Sequence, residues 1–158
     1  KKKLLISFDP NVRLPLFEDH EYLRKTIHAY IRHADILKIS DEEVSFLFGS
    51  DAIEEHLAYI FACGVKLLIY TAGKDGASAY TRYHTAYSAG IEAKAVDTTG
   101  AGDGFIGCFL YQLSKDEISA SDLEGLREQQ LKSYLDMCNK FCSISVTKEG
   151  AIASYPSM

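Results

Sequence analysis

Short apolar runs alternate with longer amphipathic stretches along much of this chain. The apolar runs predict strands over residues 4–8, 36–39 and 65–70. The third run is almost uninterrupted, as expected for a central parallel strand that is covered on both faces. Apolar residues at helical spacing predict helices over residues 21–33 and 57–61. Strands that alternate with helices predict an α/β fold with a mainly parallel sheet.

The predicted sheet ends in a hairpin. Asp75-Gly76 is a strong hairpin signal, and residues 77–83 form the expected returning strand. A short antiparallel portion should therefore follow the parallel strands. A long amphipathic helix is predicted over residues 123–141, followed by a tail of small residues over 143–154. No repeat or linker interrupts the sequence, which predicts one unit over residues 1–158.

A glycine-rich run carries the most informative chemistry. Asp97-Thr98-Thr99-Gly100-Ala101-Gly102-Asp103-Gly104 lies between an apolar segment at 91–96, expected to be a strand, and a helical stripe at 105–113. The first N–H groups of a helix have no partner and carry partial positive charge, so anions collect there. Gly100 and Gly102 keep side chains away from such an anion. Asp103 would repel phosphate and is instead expected to accept the proton of an attacking hydroxyl; the alternative is a helix cap.

Four polar loops follow segments that we expect to be strands, at residues 9–13, 40–43, 71–76 and 97–104. In open α/β sheets, ligands bind at the carboxyl ends of the strands. The second loop also has the capping-box pattern, from Ser40 to Glu43, and should start a helix. The four loops are therefore expected to gather at one edge of the sheet.

Composition narrows the class of protein. The 158 residues are 47% hydrophobic and 25% charged, enough for one domain with a core, and the net charge of −5 argues against a nucleic-acid partner. No segment predicts a membrane span or a signal peptide, which argues against a membrane partner. Four cysteines lie in apolar segments and are expected to be reduced thiols of a cytoplasmic protein. Cys138 and Cys142 lack further metal ligands at suitable spacing.

The motifs resemble those of the ribokinase-like (PfkB-type) carbohydrate kinases. The run 97–103 resembles the C-terminal signature of that family, 71–76 its nucleotide-contacting loop, and 146–151 its C-terminal tail. The runs 8–13 and 37–43 look most like the fructokinase and 2-keto-3-deoxygluconate kinase branch. The resemblance implies the ribokinase-like three-layer fold, ATP as phosphoryl donor, Mg²⁺ and K⁺ as ions, and a fructose-like sugar as acceptor.

The resemblance also assigns roles to individual positions. Asp103 resembles the catalytic base, and Gly100, Ala101 and Gly102 resemble the anion hole. Glu43 resembles the acid of an Asn-x-x-Glu motif that organises Mg²⁺ through water, with Ser40 standing where the Asn would be. The positions that resemble ATP contacts are Arg13, Ser40, Thr71, Ala72, Gly73, Lys74, Asp75, Gly76 and Asn139. Those that resemble monovalent-cation ligands are Asp97, Thr99, Ser145, Lys148, Gly150 and Ser154.

The resemblance covers the C-terminal half of such a kinase. Family members place most sugar contacts and the lid over the sugar in the N-terminal half, so we expect that half to lie outside this chain. A full-length protein would be an active kinase and a candidate homodimer, whereas the isolated fragment is expected to lack a dry sugar pocket.

Three other functions remain open on the sequence alone. Residues 102–107 match G-x-G-x-x-G, the fingerprint of dinucleotide-binding oxidoreductases, but no acidic strand end follows about 20 residues later. A P-loop NTPase would need G-x-x-x-x-G-K-[ST], and Lys74 lies in different surroundings. The third alternative is a nucleotide-binding domain without catalysis.

Overall fold

The computed structural model describes residues 4–156. These residues contain one mixed sheet of five strands. Its strands are β1 (Ser7–Phe8), β2 (Ile36–Ser40), β3 (Leu67–Thr71), β4 (Ala77–Tyr80) and β5 (Thr85–Ser88). They lie in the order β1-β2-β3-β4-β5. The first three are parallel, and β4 and β5 are antiparallel to their neighbours.

Helices cover both faces of the sheet. They are α1 (His20–Ile31), α2 (Asp41–Phe48), α3 (Leu57–Ala62), α4 (Ala101–Lys115) and α5 (Glu128–Ser145). Alternate side chains of each strand point to opposite faces. Leu37 and Leu68 therefore pack with α1, α2 and α3, whereas Ile36, Leu67 and Ile69 pack with α4 and α5. The result is the predicted three-layer α/β arrangement.

Two local predictions are confirmed at atomic detail. Ser40 and Glu43 form a reciprocal capping box at the start of α2. The hairpin also forms, since Thr71 pairs with Ala77. Its turn contains the 3-10 segment Gly73–Asp75, and Gly76 adopts a φ of 101°. The hairpin turn thus projects beyond the end of β3, beside the start of α2.

Two predicted strands differ from the structure. The first is shorter than residues 4–8 because β1 lies at the edge of the described sheet, which leaves Leu4 and Ile6 exposed. The segment 91–96 is not a strand. Its place at the edge of the sheet is taken by β5, and the amides of Val96 and Asp97 donate instead to the carbonyl of Val146, at 2.7 and 3.2 Å.

Strand β5 was not predicted from the sequence. The returning strand ends at Tyr80 rather than at residue 83, because the hydroxyl of Thr81 accepts hydrogen bonds from the amides of Tyr83 and His84 and turns the chain. The predicted helix over 123–141 was also wrong at its start. A 3-10 turn at Leu123–Gly125 precedes α5, which begins at Glu128 and continues into the predicted tail.

We expect reduced thiols at the four cysteines. All four cysteines are free thiols, with Cys108 and Cys138 buried and Cys63 and Cys142 half-buried. Burial raises the pKa of the Cys142 thiol to about 12, so it stays protonated.

Within residues 4–156, no helix has the length and apolarity needed to cross a bilayer. In the same part of the chain, no three His, Cys, Asp or Glu side chains are grouped so as to hold a metal.

Candidate active site

The glycine-rich loop ends where α4 begins, as predicted. Gly100 is the N-cap residue and adopts a left-handed φ of 75°. The amides of Gly102 and Asp103 donate to no other group in residues 4–156, so two N–H groups remain available at the positive end of the helix. The N-cap is Gly100 rather than Asp103, and the side chain of Asp103 makes no hydrogen bond within residues 4–156. The cap alternative for Asp103 is therefore not supported by the geometry.

Three cavities meet at this helix start. One of about 370 Å³ is lined by Asp103 together with Arg13 and Asn11. A second, of about 310 Å³, reaches the start of α2. A third, of about 640 Å³, extends toward the hairpin turn and α5. Gly102 lines all three, so the loop lies at their common boundary, and we call the three cavities together the trough.

Six of the nine predicted nucleotide contacts line the largest of these cavities, whereas Arg13 and Ser40 line a smaller one. The hairpin residues that line it are Thr71, Gly73, Lys74, Asp75 and Gly76, whereas Ala72 does not. Asn139 lines it from α5 and donates from Nδ2 to the carbonyls of Ser88 and Ala89 and to the hydroxyl of Ser88, at 2.9–3.0 Å. Because the amide hydrogens are used to hold β5 against α5, Oδ1 is the atom that Asn139 has available for a ligand.

Glu43 holds two segments of the site together. Its Oε2 accepts the amide of Ser40 and its Oε1 accepts the amide of Val12, both at 2.8 Å. The side chain thereby fastens the loop at residues 9–13 to the start of α2. Each carboxylate oxygen can accept a further hydrogen bond, so a water-mediated ion remains compatible with this role. Arg13 is the last residue of this loop and is exposed. It lines both smaller cavities.

The predicted cation ligands come together in part. Asp97 accepts the amides of Thr99 at 2.8 Å and Gly150 at 2.9 Å, which ties the glycine-rich loop to the C-terminal segment. The amide of Lys148 donates to the carbonyl of Ser145 at 3.2 Å. Ser154 donates to the carbonyl of Ala151 at 2.7 Å. The structure thus unites Asp97, Thr99 and Gly150 directly.

The Asp97 bridge predicts a pH dependence. Hydrogen bonds from Thr99 and Gly150 hold the pKa of Asp97 below its ordinary value of 3.8. A depressed pKa stabilises the fold above the unfolded pKa, and this contribution is lost as the pH falls through the folded value. We expect the melting temperature of Asp97→Asn to lie below that of the wild type at neutral pH, with a difference that shrinks below about pH 4. A difference independent of pH between 7 and 3.5 would contradict this origin.

Tyr155 is a structural partner of the loop that the sequence did not reveal. Its hydroxyl donates to the carbonyl of Gly100 at 2.6 Å. A Cβ on Gly100 would lie 2.7 Å from the Cβ of Ala151 and 2.9 Å from that hydroxyl, so the loop packs tightly on the C-terminal segment. Burial, and next the nearby Asp103 carboxylate, raise the pKa of Tyr155 and keep it a donor.

Replacing Tyr155 with Phe should loosen the loop without unfolding the protein. The carbonyl of Gly100 still accepts the amide of Gly104 at 2.8 Å, so the expected cost is about 0.5–1.5 kcal/mol in free energy of unfolding. Urea denaturation measures this loss in the free energy of unfolding. The affinity of the loop for a phosphate analogue should also fall in Tyr155→Phe. Tyr83→Phe is the control, since Tyr83 is 71% exposed. Equal stabilities for the two variants would show that the Tyr155 hydrogen bond contributes nothing.

Lys38 is a second residue that the sequence analysis did not assign. It interrupts the otherwise apolar run 36–39, a signal that was available in the sequence. Its Nζ lies 3.1 Å from Oδ2 of Asp9. A Cβ on Gly102 would lie 3.2 Å from the same Nζ. A buried cation therefore lies directly beside the glycine-rich loop.

The amino-acid sequence is similar to those of known carbohydrate kinases. Residues 1–158 match the family model described as pfkB family carbohydrate kinase. The chain is 40% identical over 155 residues to probable fructokinase-5 of Arabidopsis thaliana, covering 98% of this chain and 46% of that protein. It is 38% identical over 154 residues to fructokinase-2 of Solanum lycopersicum, covering 97% of this chain and 45% of that protein. The chain spans about half the length of the curated relatives it matches.

Solved structures with a similar fold also match over about half of their own length. A Vibrio cholerae fructokinase double mutant, bound to fructose, ADP and potassium ion, matches with a TM-score of 0.80 and 33% identity over 95% of this chain and 46% of that one. A putative ribokinase II from E. coli, in complex with ATP and Mg²⁺, matches with a TM-score of 0.75 and 28% identity over 96% of this chain and 45% of that one. These likenesses confirm the predicted ribokinase-like α/β fold.

Proposed function

We propose that this chain, which belongs to the pfkB family of carbohydrate kinases, carries the nucleotide cleft and the catalytic base of an ATP-dependent fructokinase. The observation that carries the proposal is the position of Asp103. Its side chain lines a cavity, makes no hydrogen bond within residues 4–156, and lies at a helix start where the amides of Gly102 and Asp103 are unpartnered. Membership of the family removes the dinucleotide-binding and P-loop alternatives.

The proposed reaction divides its work among the residues of the trough. A sugar hydroxyl attacks the γ-phosphorus of ATP, the bond between that phosphorus and the β–γ bridging oxygen breaks, and Asp103 accepts the hydroxyl proton. The anion hole expected at Gly100, Ala101 and Gly102 would stabilise the negative charge that develops on the transferred group. The amide of Ala101 donates to the carbonyl of Thr98 at 3.1 Å, so the unpartnered amides of Gly102 and Asp103 are the available donors of α4. One such donor stabilises a transition state by roughly 3 kcal/mol in other enzymes. The 640 Å³ cavity is large enough for the nucleoside portion of ATP.

Two kinds of ion belong to the proposal. Mg²⁺ would neutralise charge on the phosphates, with Glu43 organising its water ligands from the start of α2. K⁺ would lie beside the glycine-rich loop, near Asp97 and Thr99 and the segment that contains Ser145, Lys148, Gly150 and Ser154. The hydrogen bonds of Asp97 to Thr99 and Gly150 support the second site, because they already draw those segments together. Activity that is indifferent to K⁺ would remove this part of the proposal.

The proposal extends to the rest of the enzyme. Residues 1–158 would form the nucleotide-binding and catalytic portion, and most sugar contacts would come from outside this chain. The twofold greater length of the matched relatives supports this division. A cytoplasmic location and a homodimer of the full-length protein are part of the same proposal.

Nucleotide binding and product formation test the function together. Calorimetric titration should show binding of ATP in the presence of Mg²⁺ and no comparable binding of NADH. On the full-length protein, phosphorus NMR should then detect a sugar phosphate when fructose is the acceptor, with ribose and 2-keto-3-deoxygluconate as competing acceptors. Binding of ATP without any sugar phosphate would favour the non-catalytic alternative, and tight binding of NADH without ATP would overturn the proposal.

A further inference from the structure

Lys38 occupies a position that is unusual for a charged side chain. It lies in the middle of β2, and its side chain is only 7% exposed. The alternation of the strand places it on the same sheet face as Ile36, which packs with α4 and α5. Burying a lysine is costly unless its charge is compensated. The position therefore needs an explanation beyond the packing of the sheet.

Asp9 compensates that charge only in part. Nζ of Lys38 lies 3.1 Å from Oδ2 and 3.3 Å from Oδ1 of Asp9. Burial raises the pKa of Asp9, and the attraction of Lys38 opposes this effect without cancelling it. A lysine ammonium has three N–H donors, and Asp9 is its one hydrogen-bond acceptor within residues 4–156. At least one N–H of Lys38 therefore remains to be used.

The remaining N–H lies beside a cavity of mixed charge next to the glycine-rich loop. Lys38 lines this 310 Å³ cavity together with Gly102, Ser40 and Arg13, and the acidic residues Asp41, Glu42 and Glu43 line it as well. Its Nζ would lie 3.2 Å from a Cβ on Gly102, so it is close to the loop whose first amides are unpartnered. The ammonium and the helix start thus converge on the same small volume.

We propose that Lys38 binds the terminal phosphate of a nucleoside triphosphate from beneath the glycine-rich loop, with Asp9 holding its ammonium in place. The inference rests on the proposed function and adds a residue to it. Lys38 would hydrogen-bond the non-bridging oxygens of the transferred phosphoryl group, while Asp9 acts as a positioning residue. A lysine suits this task because its ammonium is a compact point charge.

A second lysine paired with an aspartate, Lys66, offers a control, although its side chain is 25% exposed. Lys66 is paired with Asp35 at 2.8 Å, also donates to the carbonyl of Ala120, and precedes β3. It lines none of the three cavities of the trough. Removing its charge therefore breaks a lysine–aspartate pair of the same kind without touching the proposed phosphate position.

The test compares ATP, ADP and AMP by calorimetry on the wild type, Lys38→Met, Lys38→Arg and Lys66→Met. We expect Lys38→Met to weaken ATP binding at least tenfold, with AMP affinity within twofold of the wild type. Lys38→Arg should recover part of the ATP affinity, and Lys66→Met should leave the ratio of ATP to AMP affinity unchanged. Equal losses of ATP and AMP affinity in Lys38→Met, or no loss at all, would overturn the inference.

A measurement on the unmodified protein covers the case in which Lys38→Met does not fold. The Nζ resonance of Lys38 should shift when ATP is added and remain in place when AMP is added, and no shift with ATP would overturn the inference. Failure of the wild type to bind either nucleotide would instead overturn the proposed function, on which the inference depends. The two failures are thereby distinguishable.

Discussion

Replacing Asp103 with Asn is expected to lower the rate of sugar phosphorylation about 10²–10⁴-fold, the contribution typical of general base catalysis. The amide has nearly the same shape as the carboxylate but cannot accept the hydroxyl proton. Because the side chain of Asp103 makes no hydrogen bond within residues 4–156, its replacement should leave the helix start and the binding of ATP intact. A coupled assay for ADP on the full-length protein, with fructose as acceptor, measures the rate, and calorimetry measures the binding.

Asp51→Asn is the matched control for this experiment. Asp51 is also exposed and lines none of the three cavities, so its variant should retain the wild-type rate. An unchanged rate in Asp103→Asn would sink the assignment of the base. A full-length wild-type protein that binds ATP without any turnover would identify a nucleotide-binding domain that does not catalyse transfer.

Gly90→Ala should damage both the fold and the nucleotide cleft. A Cβ at Gly90 would lie 2.0 Å from the carbonyl oxygen of Lys74, and one at Gly76 would lie 2.2 Å from that of Ser88. The hairpin turn and the chain leaving β5 therefore cross with their backbones in contact. Backbone cannot rotate away as a side chain can, so we expect a loss of about 3 kcal/mol in free energy of unfolding. ATP binding should weaken because Gly90 and Lys74 line the same cavity.

The control for Gly90 is another glycine with space around it. Gly107 lies within α4, and a Cβ there would meet nothing within 4 Å. Gly107→Ala should therefore stabilise the protein by up to about 1 kcal/mol, because alanine favours a helix. Urea denaturation of both variants gives the comparison. Wild-type stability and ATP affinity in Gly90→Ala would contradict the close crossing of the two segments.

Local signals predicted much of the fold. The capping box from Ser40 to Glu43 was predictable because both partners lie within one helical turn. The start of α4 was predictable because glycines followed by a helical stripe favour a helix there. The segment 91–96 was expected to be a strand and is not one, whereas residues 85–88 form β5 without having been predicted. Both segments are short, and the neighbouring strand available for pairing decides which of them joins the sheet.

The candidate site was predicted unevenly. Asp103 and the loop glycines lie where the sequence placed them, beside unpartnered amides at the start of α4. Asn139 lines the large cavity as expected, but its amide also fastens β5 to α5. Glu43 fastens the loop at residues 9–13 through Val12, which no motif indicates. These added contacts join residues that are distant in the chain.

The class of fold, the glycine-rich start of α4 and the carboxylate beside it could be read from the sequence, because these depend on residues within one or two helical turns of each other. Three contacts emerged from the folded chain alone: Tyr155 holds Gly100, Lys38 lies against Gly102, and Gly90 crosses Lys74. Those contacts depend on how strands and helices pack across the sheet, and their separation in the sequence leaves no periodic or local signal from which to infer them.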